Sequence, residues 1–216
     1  MEPKDPYYLP TLFGNSFGFL NRPLVPLSPE ISDAPDVYVI GIPFDLGCTG
    51  RSGTRSGPTA IRQASSNLRW EQSKYPHRHN VFHRLSVVDC GDIQIGAGES
   101  KQSINQIQST VQLLLNKSAG SKKKRVLSFG GDHLVALPIL KAYSAFYGEP
   151  IAMIHFDAHT DTYKPTDGMM YDHGTMFFKE RMDGVLSFEQ SVQIGIRTEW
   201  DYDDHPYTVI TSDEVW

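Results

Sequence analysis

Val126-Leu127-Ser128-Phe129-Gly130-Gly131-Asp132-His133-Leu134-Val135 passes from a β-rich run, through a pair of glycines, into the start of a helical pattern. Val126–Phe129 suits a strand. A helix is expected from near Val135, because Pro138 is tolerated in a first turn but not in a helix interior. Gly130–His133 is then a strand-to-helix turn. In open α/β sheets ligands bind beyond the carboxyl ends of strands, which is where such a turn carries His133.

Further β-rich runs lie on either side at Val37–Gly41, Ser86–Asp89, Ile151–Asp157, Val192–Gly195 and Thr208–Ile210. Between them, Pro58 followed by Ile61, Ala64 and Leu68 predicts a helix opened by proline and carrying an apolar stripe. Ile104, Ile107, Val111, Leu114 and Leu115 predict a second, more strongly amphipathic helix. Strands alternating with helices predict an α/β fold with a mostly parallel sheet. Residues 1–35, rich in Pro and Phe, show neither period and read as an extended N-terminal arm. No linker divides residues 36–216, which are expected to form one α/β domain.

The chain has 216 residues, 39% of them apolar, with 18 Gly and 14 Pro. That composition, with no apolar run long enough to cross a bilayer, excludes collagen-like and membrane-spanning classes. Twenty basic residues against 25 acidic ones give a net charge of −5, which suits a cationic small molecule and not a nucleic acid. Cys48 and Cys90 are too few for a disulfide framework, and Met1–Asp5 lacks the basic and apolar regions of a signal peptide, so a reducing cytoplasm is expected. Lys122-Lys123-Lys124-Arg125 reads as a solvated loop. Arg51–Gly57, although rich in Gly, Ser and Arg, lacks the Gly-Lys-Ser/Thr ending of a phosphate loop. It is read as a surface or subunit-contact loop.

The densest cluster of potential ligands is His155-Phe156-Asp157-Ala158-His159-Thr160-Asp161. His and Asp alternate, so an extended segment would aim all four to one side. Ile151-Ala152-Met153-Ile154, leading into it, looks buried on both faces, and uncompensated buried carboxylates cost several kcal/mol each. A cation resolves the conflict, with His133 at a neighbouring strand end as a further ligand. Imidazole and carboxylate without thiolate suit manganese, iron, zinc or cobalt. Two ions fit better than one, since a carboxylate such as Asp157 can bridge a pair about 3.5–4 Å apart.

Gly130-Gly131-Asp132-His133, Asp157-Ala158-His159-Thr160-Asp161 and Asp172-His173-Gly174-Thr175-Met176-Phe177 resemble the signature segments of the ureohydrolases, the manganese enzymes that include arginase and agmatinase. Phe17–Leu20, Gly50–Pro58, Val88–Asp92 and Gln193–Glu199 extend the resemblance along the chain and look most like bacterial-type agmatinase. The resemblance implies a three-layer α-β-α fold of the arginase and deacetylase kind. It implies two Mn(2+) per subunit, with His133 and Asp161 on one ion, His159 on the other and Asp157 bridging. His173 would stand beside the substrate as a proton relay, with Asp161 the other candidate for proton delivery. His155 is outside the family ligand set and reads as a packed or supporting histidine. The implied reaction is hydrolysis of the guanidinium group of agmatine to urea and putrescine, in a cytoplasmic homo-oligomer, a trimer or hexamer.

The family pattern continues with an Asp-x-Asp segment and a later glutamate, neither of which occurs before Trp216. The domain is therefore expected to be C-terminally incomplete, with four of six metal ligands, and weak or inactive alone. Tyr163, Pro165, Met169, Met170 and Tyr171 follow the Asp157–Asp161 segment. These bulky residues suit an alkylamine chain better than an α-amino acid. Three alternatives stay open: another guanidino-acid ureohydrolase such as guanidinobutyrase, a single-zinc deacetylase on a similar sheet, and a non-catalytic subunit that joins longer relatives.

Overall fold

Val37–Ile42 forms β1, the centre of a parallel sheet in which it pairs with β2, Val87–Asp92, on one side and β3, Arg125–Gly130, on the other. The computed structural model describes residues 18–22, 24–27, 35–66, 68, 76, 79–117, 125–165, 171–178, 182, 184–200 and 205–215. Lys122–Lys124, Met169 and Met170 lie outside them, as does most of the expected arm. These residues fall into two compact units, each assembled from three interleaved segments. Among the described residues all strand pairing is parallel, which is the α/β architecture expected.

In the first unit Val37 lies opposite both Val87 and Arg125, and Ile42 opposite Gly130. As the middle strand, β1 has Tyr38, Val39, Ile40 and Ile42 fully buried, as a near-continuous apolar run in a parallel sheet requires. Val39, Val87 and Phe129 make the core, with Phe19, Val37 and Phe82 against it.

Pro58 opens α1, Gly57–Ser65, but the helix does not bury the expected stripe. Ile61, Ala64 and Leu68 are exposed, and Pro58, Arg62 and Ser65 face inward. Arg62 explains the choice of face. Its Nε donates to Asp89 Oδ2 at 2.8 Å, its Nη2 to Asp89 Oδ1 at 2.9 Å and to the Gly91 carbonyl at 3.0 Å, and its Nη1 pairs with Asp92. Asp89 is fully buried, and a buried carboxylate left without its cation costs about 3–5 kcal/mol, whereas Ile61 and Leu68 are only 40% and 47% exposed. The described part of the arm also docks here, with Phe19 N donating to Asp89 Oδ2 at 2.6 Å and Leu20 N to Ser65 Oγ at 2.8 Å.

α2 spans Ser100–Asn116 and buries Ile104, Ile107, Val111, Leu114 and Leu115, the five positions its periodicity marks.

In the second unit β5, Val192–Ile196, stands between β4, Ile154–Phe156, and β6, Thr208–Thr211. β4 is shorter than Ile151–Asp157, and its lead-in is not buried on both faces. Met153 and His155 point inward, whereas Ile154 is 69% and Phe156 76% exposed. Among the described residues β4 pairs with one strand, β5, and its face that carries Ile154 and Phe156 is open to solvent. A 3-10 turn over His133–Val135 leads into α3, Ala136–Tyr147, with Pro138 in its first turn. Gly148 ends α3 in the left-handed region (φ 71°), where its N–H reaches the Ser144 carbonyl. Ser212–Val215 forms the short α4.

Candidate metal centre

The expected ligands His133, Asp157, His159 and Asp161, with His173, all belong to the second unit and line one cavity of about 580 Å³. Each is placed by a local device. Asp132 caps the turn that carries His133: its Oδ1 accepts from Leu134 N at 2.9 Å and its Oδ2 from Gly47 N at 2.7 Å. Asp157 ends β4 by folding its own side chain back, so that Oδ1 accepts from Ala158 N at 2.6 Å and His159 N at 3.0 Å. Asp161 adopts φ 53°, uncommon outside glycine, and its carbonyl accepts from Phe177 N at 3.0 Å. Strain of this kind gathers at functional sites and costs roughly 1–3 kcal/mol.

These devices converge His133, His155, Asp157 and Asp161, whose ligand atoms lie within 4.8 Å of one another. His133 Nδ1 is 2.6 Å from Asp161 Oδ2 and 3.4 Å from Asp157 Oδ2. His155 Nε2, buried and without a hydrogen bond, is 3.4 Å from the same Asp157 oxygen. His159 stands apart from this group: it is more exposed, and its Nδ1 is 3.6 Å from Asp157 Oδ1. The fully buried Phe177 closes the apolar side, edge-on to the rings of His133 and His155.

Burial pushes the Asp157 carboxyl up, but the His159 N–H, the nearby His133 ring and the Ala158 N–H outweigh it and hold the group below the usual carboxylate range. Burial pushes the His155 imidazole down. Burial also raises Asp132, against the N–H groups of Gly47 and Leu134.

The donor set is imidazole and carboxylate with no thiolate, on atoms close enough to share one ion, and that fits a borderline divalent metal. His133, His155, Asp157 and Asp161 are the residues whose ligand atoms are near enough to share one ion; His159 is outside that group.

Two residues of the wall escaped the sequence reading. Thr49 Oγ1 is 3.1 Å from His173 Nε2, while His173 N donates to the Gly47 carbonyl at 3.1 Å, so the 47–49 loop fixes the orientation of His173. Lys164 also lines the cavity. Neither carries a sequence signal beyond its polarity. Tyr163 lines the cavity as well, and its hydroxyl donates to the Glu199 carbonyl at 3.3 Å.

A parallel α/β protein with histidine and aspartate gathered beyond the strand ends defines a class, and a profile of the Arginase family matches residues 35–216: the chain belongs to that family. Among its relatives, the agmatinase of Citrobacter koseri (strain ATCC BAA-895 / CDC 4225-83 / SGSC4696) is 46% identical over 205 residues, and that of Serratia proteamaculans (strain 568) is 47% identical over 205. Each match takes in 95% of this chain and 63% of the relative, so the chain spans less than two thirds of their length. A hypothetical agmatinase from Burkholderia thailandensis superposes with a TM-score of 0.82 at 36% identity, over 95% of this chain and 61% of the other. The proclavaminate amidino hydrolase of Streptomyces clavuligerus gives 0.81 at 32% identity, over 94% and 65%.

Proposed function

We propose that this arginase-family chain serves a ureohydrolase of the agmatinase type, which hydrolyses the guanidinium group of agmatine to urea and putrescine with manganese as the metal. The observation that carries the reading is the convergence of His133, Asp157 and Asp161 on one cavity wall, with no thiolate among the donors. Relatives named as agmatinases at 46–47% identity support the substrate.

A guanidinium ion is resonance-stabilised and cationic, so it resists attack, and its departing amine must be protonated before it leaves. Bound manganese would supply Lewis acidity and a water activated at neutral pH. His133, Asp157, His159 and Asp161 would hold the ions. The chain's remaining residues do the rest. Asp157, Asp161 and Asp172 give the cavity a negative field that draws in a cation. His173, its ring oriented by Thr49, would pass a proton to the amine nitrogen as the C–N bond breaks. Tyr163 presents an aromatic wall that suits an alkyl chain better than an α-amino acid head. The same reading takes the protein as cytoplasmic and homo-oligomeric, a trimer or hexamer. Among the described residues no helix is long and apolar enough to cross a membrane.

The test is urea release from agmatine, arginine and 4-guanidinobutyrate after manganese loading, with ions per chain counted on the same sample. Turnover of agmatine above the other two, lost in His173→Ala with ion content retained, is the expected result. A preference for 4-guanidinobutyrate would assign a guanidino-acid ureohydrolase. Bound ions with no turnover of any substrate would assign a non-catalytic subunit.

A further inference from the structure

Gln193, on β5, is fully buried and makes three hydrogen bonds whose directions can be worked out from their partners. Its amide nitrogen lies 2.7 Å from the carbonyl oxygen of Thr160. A backbone carbonyl only accepts, so this contact fixes which end of the amide is nitrogen. The amide oxygen then faces His205 Nε2 at 2.8 Å, which must donate. The second N–H of the same nitrogen is directed at His155 Nδ1, 3.0 Å away. Turning the amide over would set two acceptors 2.7 Å apart at Thr160, at the cost of a buried unpaired carbonyl.

The consequence reaches the metal centre. A His155 Nδ1 that accepts has no proton, so in the neutral ring the proton is on Nε2. That nitrogen is buried, has no hydrogen bond, and has one carboxylate oxygen within reach, Asp157 Oδ2 at 3.4 Å. An N–H there has no lone pair for an ion, and it faces the Asp157 carboxylate across 3.4 Å. The geometric cluster that counts His155 among four possible ligands thus contains three ligands and one supporting donor.

We propose that Gln193, held by the Thr160 carbonyl and His205, locks His155 as the Nε2–H tautomer, and that His155 is thereby a positioning residue for Asp157 and not a metal ligand. The sequence carries the device as a polar residue inside an otherwise apolar strand, Val192–Ile196, opposite His155 in the β4–β5 register. Residues that orient metal ligands in this way typically matter 10–100-fold for metal affinity.

The inference rests on the metal reading only for its consequence at Asp157, and the experiment separates the two. Long-range proton–nitrogen correlation spectra of the metal-free full chain, labelled with nitrogen-15 in histidine, report which ring nitrogen carries the proton. The His155 signals are assigned by their loss in His155→Phe. A protonated Nε2 and a bare Nδ1 are expected; the reverse overturns the proposal, whatever the chain does with metal. In Gln193→Glu the donor facing Nδ1 becomes an acceptor, and the proton is expected to move to Nδ1. A tautomer that stays unchanged in that variant overturns the role given to Gln193. Calorimetric titration with manganese then reads the consequence. His155→Phe is expected to bind 10–100-fold more weakly, and His155→Gln, whose amide N–H can stand where the imidazole Nε2 stood, to recover most of the loss. Unchanged affinity in His155→Phe, or no recovery in His155→Gln, overturns the positioning role. A wild-type chain that binds no manganese would sink the proposed function while the tautomer spectra still decide this inference.

Discussion

Replacing Arg62 with methionine keeps most of the side-chain volume of a buried position on α1 and removes its charge. The loss can be worked from what remains. Asp89, fully buried, keeps the N–H groups of Phe19 at 2.6 Å and Gly91 at 2.9 Å but loses two guanidinium hydrogen bonds, at 2.8 and 2.9 Å. Asp92 and the Gly91 carbonyl lose one each. Removing one partner of a buried pair typically costs about 3–5 kcal/mol, because the other charge stays behind. Against a total stability of roughly 5–15 kcal/mol, that is a large share. The assay is urea unfolding of the full chain at pH 7, followed by circular dichroism. Arg62→Met should lower the midpoint by the equivalent of about 3–5 kcal/mol. Adding Asp89→Asn should return part of it, since a neutral amide oxygen still accepts from one of the two backbone donors, and the coupling between the changes should exceed about 1 kcal/mol. A loss under about 1 kcal/mol in the single variant, the size expected of an exposed pair, would refute the reasoning by showing that water reaches Asp89.

Gly131→Ala puts a Cβ 1.8 Å from the Phe44 carbonyl oxygen and 2.8 Å from its nitrogen, backbone atoms that cannot rotate aside. A destabilisation of at least about 1–3 kcal/mol is expected, and equal urea midpoints for variant and wild type would contradict that close approach. Cys90 supplies a pH dependence: burial, with Asp89 adding to it, pushes its thiol up to about 12. A raised folded value means that its contribution to stability is complete below the unfolded thiol's value, near 8.5, and is lost as pH rises toward 12. Iodoacetamide at pH 9 should therefore label Cys90 far more slowly in the native chain than in urea, with equal rates as the contrary result.

The six strands among the described residues are legible in the sequence because each contains β-branched or aromatic residues in a short β-rich run, and α2 because its five apolar positions fall on one face. The misreadings share a cause. Whether Ile61 or Arg62 faces inward on α1 depends on Asp89, 27 residues away from Arg62 in the chain, and the exposure of Ile154 and Phe156 depends on what packs over that face of β4. Neither is a local property. The candidate centre is the more instructive case, because its residues were legible while the means of bringing them together were not. Alternation along an extended segment would aim His155, Asp157, His159 and Asp161 to one side, but six residues of extended chain span about 20 Å. His155 and Asp161 could not then place ligand atoms within 4.8 Å of each other, as they do. The strand must stop, and it stops at Phe156, where the Asp157 side chain captures the next two backbone N–H groups. The left-handed turn at Asp161 then brings its carboxylate to His133. An aspartate is well suited to both positions, since its short side chain can bond its own backbone and it tolerates positive φ better than most residues. The same carboxylates that offer ligands therefore also make the bends that gather them, and an alanine in place of Asp157 would remove the acceptor that makes the bend as well as the charge at the centre.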